Sequence, residues 1–366
     1  MTIFVTSKSL FLWALIASIL FNGAALLSRQ EDRRPEFKRF EAEKKLMGVR
    51  FRLVVYGEDL QMVRPAIIQA FQRIAEIEAR MTDYDSNSEL MRLCRQATAN
   101  VPVKVSQDLF RVLSIAQKVS RFSEGAFDPT VGHLSQIWRK ARQEKRLPSK
   151  SVVESAVDLT GWQKMKLDSQ CRTVVFLQKG LRLDLGGIAK GYAADEALRE
   201  LRLRGFPSCL VDAAGDVTVG DAPPGKDGWK IAISNLQSGK SLTVQNASVA
   251  TSGDRFQFLK QDGKVYSHII DPRTGYGTTH RNQVTAFSTE KKNPGAYADA
   301  YASAFSVMGP ELIQSRLNFS RQNKVRIESQ AGFFLPPTGP DSTELSNPDT
   351  SQPETRQSED FFGSPQ

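Results

Sequence analysis

The chain has 366 residues, 40% apolar and 24% charged, a globular mixture that excludes a wholly disordered or fibrous protein. At roughly 150 residues per domain the length suggests two domains. The formal net charge of +9 invites a nucleic-acid or anionic-membrane reading, but residues 336–366 hold six acidic residues and one basic one, so residues 1–335 carry +14 and the basic excess belongs to the part that folds.

Lys8 precedes an uncharged run from Leu10 to Leu27, and mixed charge follows from Arg29 to Arg34. This pattern over residues 1–29 reads as a secretory signal peptide or an uncleaved membrane anchor, with Gly23-Ala24-Ala25 offering small residues for cleavage. It predicts export to the cell envelope, on the outer side of the inner membrane. Residues 30–45 are charged and read as helix or linker. Val49, Phe51, Leu53 and Val55 alternate along a half-buried strand. Asp59 is placed to cap a helix carrying Val63, Ile67, Phe71, Ile74 and Ile77 at helical spacing.

A second amphipathic helix fits Gln107 to Phe122, a hairpin fits Arg172–Leu177 with Gly180–Leu185, and a helix fits Ala189–Leu203. Strands are expected within Cys209–Val219, Trp229–Ser234, Gln283–Phe287 and Lys324–Glu328, and a helix over Tyr297–Met308. Helices and strands mix without regular alternation, which predicts an α+β fold. From Pro336 the composition of Pro, Ser, Thr, Asp and Glu predicts a disordered acidic tail. Three cysteines, Cys94, Cys171 and Cys209, with no CxxC, support neither a zinc ribbon nor a disulfide framework and read as small buried hydrophobes. With only His133, His268 and His280 present, any metal is expected on oxygen ligands.

Four loop segments concentrate chemistry. In Met81–Leu90 the aromatic Tyr84 stands ahead of Asp85-Ser86-Asn87 at a helix end, either to stack on a planar ligand or to anchor the loop. Gly125-Ala-Phe-Asp-Pro-Thr-Val-Gly132 joins glycines, which let backbone approach a ligand, to Asp128 held extended before Pro129. Leu183-Asp-Leu-Gly-Gly-Ile-Ala-Lys-Gly-Tyr-Ala-Ala-Asp195 runs into a helix with Lys190 in its first turn. That offers amide groups and a positive dipole end to an anion, and a lysine opposing the dipole reads either as part of a solvated helix face or as the sign of a phosphate partner. Ala250-Thr-Ser-Gly-Asp254 and Tyr266-Ser-His-Ile-Ile-Asp-Pro-Arg-Thr-Gly275 place His268 between a serine and Asp271, as a neutral-pH base for a hydroxyl. Finally, Asp299 and Ser303 lie at i and i+4. They are either a pair of oxygen ligands for Mg²⁺ or two small polar residues on one helix face.

Together and in this order, the segments resemble the ApbE family, the FAD:protein FMN transferases, from about Met47 to Val325; the strongest carriers are LDLGGIAKGYAAD and SHIIDPRTG, supported by FDPTVG and ATSGD. The resemblance implies one α+β catalytic domain over 46–335 with mixed helices and antiparallel strands. It implies that FAD is split at its pyrophosphate, FMN is esterified to a Ser or Thr of an envelope redox protein carrying D-G-x-[ST]-G-[AS]-T, and AMP leaves. It implies FAD contacts at Met47, Tyr84, Ala126, Phe127, Asp128, Asp184, Lys190 and Ile270; Mg²⁺ at the Gly187 carbonyl, Asp299 and Ser303; and His268 as the base. FAD hydrolysis to FMN and AMP, or flavin binding without turnover, are alternatives carried by the same residues. Nucleic acid is not expected, because no aromatic-interleaved basic motif is present; the basic excess suits attraction of the FAD pyrophosphate. The chain departs from the family pattern at Ser303 (usually Thr), at Ala214 in Asp212-Ala-Ala-Gly-Asp216 (usually Gly), and at His133 (commonly Pro), the last read as structural.

Overall fold

The computed structural model describes residues 36–233, 241–253, 257–279, 283–319, 325–329 and 332–334, with side chains through Met308. The apolar leader and the acidic tail lie outside the described residues. Among the described residues no helix is long and apolar enough to cross a membrane.

In chain order the strands are β1 (Lys38–Leu46), β2 (Val49–Gly57), β3 (Pro102–Lys104), β4 (Met165–Asp168), β5 (Thr173–Phe176), β6 (Cys209–Ala213), β7 (Asp216–Val219), β8 (Trp229–Ala232), β9 (Ser241–Val244), β10 (Ala247–Ser252), β11 (Phe258–Gln261), β12 (Lys264–Ser267), β13 (Val284–Ser288), β14 (Val325–Ser329) and β15 (Gly332–Phe334). The helices are α1 (Leu60–Met81), α2 (Glu89–Gln96), α3 (Gln107–Phe122), α4 (Gly132–Glu144), α5 (Lys150–Asp158), α6 (Ala189–Leu203) and α7 (Pro294–Phe319).

An eight-stranded sheet in the order β1-β2-β6-β7-β10-β13-β14-β15 forms the backbone of the molecule. Every pairing in it is antiparallel. The period-two pattern of β2 explains its two environments. Phe51, Leu53 and Val55 enter the main core with α1, α3, α6 and α7, whereas Val54 points to the opposite face and joins Leu210, Val217, Trp229 and Leu242 under the β8–β9 hairpin. Segment 30–45, expected as helix or linker, instead contains the edge strand β1. Only Ala42 is buried along it, so its charged residues meet water at a sheet edge and leave little apolar signal.

The expected 172–185 hairpin is also corrected. β5 pairs with β3 and β4, both antiparallel, while the chain near Arg182 runs beside Val131 in a single parallel bridge. Of the cysteines, Cys209 is buried, Cys94 half-buried and Cys171 exposed, so the buried-hydrophobe reading fails at Cys171.

Register gathers one end of the sheet. Met47-Gly48 is the two-residue β1–β2 turn, with φ of +51° and +74°, values suited to a tight hairpin. Phe51 pairs with Ala213, and Ala213 with Asp216. Thr251 at the end of β10 pairs with Thr285 at the start of β13. The Met47 turn, Asp216, Thr251 and Thr285 therefore share that end.

Two devices fix the helices over it. Arg73 of α1 donates from Nη1 to Asp108 of α3 at 2.9 Å and from Nη2 to Glu196 of α6 at 2.7 Å, and the Tyr192 hydroxyl donates to Asp108 at 2.7 Å. Burial on its own would raise the Asp108 carboxyl, but these donors hold it below the usual range. α6 and α7 cross at Gly191 and Gly295: a Cβ on Gly191 would stand 2.1 Å from the Gly295 carbonyl oxygen, and one on Gly295 2.4 Å from that of Gly191. Only glycine permits this approach.

Candidate active site

The loop after α3 is shaped from within. The Ser123 hydroxyl accepts from Phe127 N–H at 3.1 Å. Asp128 accepts from the Thr130 N–H and hydroxyl at 2.8 and 2.6 Å through one oxygen, and from Trp162 N–H at 2.7 Å through the other. Burial pushes its carboxyl up while these donors pull it down. The Asp128 side chain is thus committed to the loop, and Ala126 and Phe127 are buried beside it. Asp184 N–H donates to the Pro129 carbonyl at 2.9 Å and Gly132 N–H to that of Arg182 at 3.0 Å, so the FDPTVG and LDLGG segments lie side by side.

At the start of α6, Gly187 abuts α7: a Cβ there would lie 2.9 Å from Ser303 Oγ and 3.3 Å from the Phe127 ring. Asp299 and Ser303 sit one turn apart on α7. Lys190 Nζ lies 3.2 Å from both Asp299 oxygens and 3.0 Å from Asp216 Oδ2. Asp299 Oδ2 also accepts from Gly191 N–H at 3.1 Å, and Asp216 Oδ1 from Thr251 N–H at 3.0 Å. Both carboxylates are buried, at 5% and 7% exposure. Burial would lower the Lys190 ammonium, but Asp216 and Asp299 outweigh it and hold it well above the ordinary lysine value. Burial pushes Asp299 up to about 6, with Lys190 acting against and Asp216 with that rise.

A second cluster stands on the α1–α2 loop and α4. Arg139 bonds Asp83 through Nη1 and Asp184 at 2.9 Å through Nη2, and its Cζ lies 4.5 Å from the Tyr84 ring centroid. Asp184 also accepts from Gly186 N–H at 2.7 Å. Arg139 therefore joins Tyr84 to the glycine loop and covers one ring face, while Tyr84 as a whole stays 80% exposed. One turn on, Arg142 Nη1 is buried without a hydrogen-bond partner among the described residues. Burial lowers that guanidinium, and Arg139 lowers it further.

His268 and Ile270 occupy a separate turn. His268 N–H donates to the Gln257 carbonyl at 3.0 Å, and Nδ1 lies 3.2 Å from the same oxygen. A carbonyl only accepts, so the neutral ring carries its proton on Nδ1 and its lone pair on Nε2. Asp271 accepts from Arg273 Nε and Nη2 at 2.8 Å each. The turn is tied to α4 by Trp138 Nε1–H donating to the Gly275 carbonyl at 2.8 Å. It is tied to α5 by Gly275, where a Cβ would meet Val153 and Val157 at 2.6 Å. Ile270 packs its side chain against the Leu134–Val153 cluster. Met47 sits on its hairpin turn, half-buried against the main core.

The fold thus brings Gly187, Lys190, Asp299, Ser303 and Phe127 together, joins Tyr84 to Asp184, and holds His268 and Ile270 on their own turn. Three charged residues escaped the sequence reading. Asp216 lay inside a segment noted only for Ala214, which adopts a left-handed φ of +56°. Arg139 gave no local signal. Asp195 ends the lysine motif and accepts from Gly295 and Ala296 N–H at 2.7 and 2.9 Å, so it caps α7. His133 Nε2 bonds the Gly180 carbonyl at 2.8 Å, a structural contact.

These features have counterparts among known proteins. The sequence model of the ApbE family matches residues 47–327. The chain is 31% identical to an FAD:protein FMN transferase of Klebsiella pneumoniae over 252 residues, 67% of this chain and 76% of that protein. It is 31% identical over 266 residues to one of Chlamydia pneumoniae, covering 72% and 83%. Its fold superposes on the ApbE protein of Thermotoga maritima with a TM-score of 0.69 and 26% identity, covering 79% and 93%. With the flavin transferase ApbE of Vibrio cholerae the TM-score is 0.68 at 25% identity, covering 80% and 93%. By sequence match over most of its length and by fold, the chain belongs to the ApbE family.

Proposed function

We propose that the chain is an FAD:protein FMN transferase that uses Mg²⁺, acts in the cell envelope, and esterifies FMN to a Ser or Thr of a redox protein carrying D-G-x-[ST]-G-[AS]-T. The observation that carries this reading is the buried Asp216–Lys190–Asp299 group set against Gly187 and Ser303. It is supported by the names of the relatives. The envelope location is supported by the sequence of residues 1–29 alone.

The donor set fits the metal. Gly187, Asp299 and Ser303 offer a carbonyl, a carboxylate and a hydroxyl, hard oxygens of the kind Mg²⁺ takes. Among the described residues no three His, Cys, Asp or Glu side chains converge as a metal cluster. The seat already holds a cation, the Lys190 ammonium. When bound there, Mg²⁺ would offset charge on the pyrophosphate oxygens of FAD.

The chain's own residues supply the rest. Tyr84, braced from behind by Arg139, presents a stacking surface to a planar ring of FAD. Lys190 donates to phosphate oxygen. His268 accepts the acceptor hydroxyl proton at Nε2. The hydroxyl oxygen bonds to the FMN-side phosphorus, the P–O bond to AMP breaks, and AMP leaves with the electron pair. Such a transfer rests on alignment and charge stabilisation.

The test is incubation with FAD, Mg²⁺ and an acceptor bearing the motif, followed by mass spectrometry and AMP assay. One FMN adduct and one AMP per acceptor are expected. AMP release at the same rate without acceptor would make the chain a hydrolase, and FAD bound without AMP would make it a carrier.

A further inference from the structure

Lys190 presents a conflict. A phosphate-binding lysine should face substrate, yet its ammonium sits between two buried carboxylates. Each carboxylate is fixed independently by a backbone amide, Asp299 by Gly191 and Asp216 by Thr251. The ammonium, on its four-carbon stem, is the mobile member of the group. Among the described residues no other cation pairs with either carboxylate, so one positive charge stands against two negative ones. The partners are not equivalent. Asp299 shares its helix face with Ser303, the residue that abuts Gly187, whereas Asp216 is on the sheet, at the turn between β6 and β7.

We infer that Lys190 holds the place of the metal: a divalent cation arriving at Asp299 displaces the ammonium, which pivots on Asp216 and turns Nζ toward the substrate pyrophosphate. Asp216 is then a positioning residue, acting through Lys190 and never touching the metal. The exchange follows from charge: a divalent ion and an ammonium cannot share one carboxylate at contact distance without strong repulsion, and Asp216 offers the ammonium its second seat. Cation entry changes the local count from −1 to +1, which an arriving pyrophosphate then offsets. In the resting protein the same lysine prevents two buried carboxylates from facing each other unpaired. The inference rests on the reading of Asp299 as a metal ligand.

Titration calorimetry with MgCl₂ alone, without FAD or acceptor, tests it on the full chain, with circular dichroism to verify folding. Lys190→Met should bind Mg²⁺ more tightly, by about tenfold, and show a larger Mg²⁺-induced rise in melting temperature than wild type. Asp216→Asn should weaken Mg²⁺ binding by about tenfold, because the ammonium then depends on Asp299 alone, and should raise KM for FAD more than it lowers kcat. General damage to the site would weaken binding in both variants. Mg²⁺ affinity that is unchanged or weakened in Lys190→Met, or unchanged in Asp216→Asn, overturns the exchange. If Lys190→Met does not fold, Asp216→Asn decides alone. If Asp299→Ala binds Mg²⁺ as wild type does, the metal assignment itself falls, and the exchange with it. Transfer assays on the same variants judge the proposed function separately, since none of the binding readouts needs the reaction.

Discussion

The Lys190–Asp299 centre and the His268 turn are built on different foundations. The centre lies where two helices cross at paired glycines over a sheet end, with both carboxylates buried and each tied to a backbone amide. The His268 turn lies outside that crossing, beside the two-stranded β11–β12 sheet, and its anchors are Trp138 and the α5 valines around Gly275. On the proposed function, the centre holds charge against a pyrophosphate and gains from a water-poor seat of fixed carboxylates. On the same proposal, His268 meets a hydroxyl on another protein and gains from an accessible position. Charge neutralisation and proton removal are therefore expected to fail separately.

The largest break should come at the buried centre. Asp299→Ala removes a proposed metal ligand and one of two partners of Lys190, and should lower FMN transfer by about a thousandfold or more in a saturating-FAD assay. Gly191→Ala attacks the crossing itself. With a Cβ 2.1 Å from the Gly295 oxygen, it should destabilise the fold by about 3 kcal/mol or more in urea titrations. An equally stable Gly191→Ala protein would mean that the crossing yields readily.

Smaller effects sharpen the contrast. Arg139→Lys loses the planar guanidinium that stacks on Tyr84 and bridges Asp83 to Asp184. It should raise KM for FAD by about fivefold to tenfold with kcat nearly unchanged. Equal losses in kcat would place Arg139 in the chemistry instead. A further test is pH. Burial pushes the Asp195 carboxyl up to about 8, the Gly295 and Ala296 amides acting against it. The folded chain therefore binds a proton that the unfolded chain has released above about pH 4. That contribution is complete below pH 4 and is lost as pH rises toward 8, at up to about 1.4 kcal/mol per pH unit. Relative to Asp195→Asn, the wild type should lose stability from pH 5 to pH 8; a wild type that gains relative stability over that range would reverse the sign.

Much of this was legible before the fold. Strand β2 follows from the period-two alternation of Phe51, Leu53 and Val55, and helices α1 and α3 from apolar residues at helical spacing along one face, whereas α6 is buried on nearly all sides from Gly191 to Leu198 and is marked by the glycine motif that opens it. That Gly187, Lys190, Asp299 and Ser303 come together was implied by the family resemblance, while spacing alone linked only Asp299 and Ser303, at i and i+4. β1 was not legible, since an edge strand with one buried residue carries almost no alternation. The 172–185 hairpin misled because β5 prefers β4 and β3, one of them about 70 residues back, to its next neighbour. Arg139 was invisible because its partners come from a different loop and from the start of the lysine motif. Asp216 stood in plain view, but only the antiparallel register sets it beside Lys190.

The separation of the two regions is tested most directly in His268→Ala, by measuring FAD affinity in the presence of Mg²⁺ alongside the single-turnover rate of FMN transfer. The account predicts unchanged FAD binding with transfer slowed by about 10²–10⁴-fold, the range for a lost general base. A loss of FAD affinity matching the loss of rate, or transfer at the wild-type rate, would contradict it.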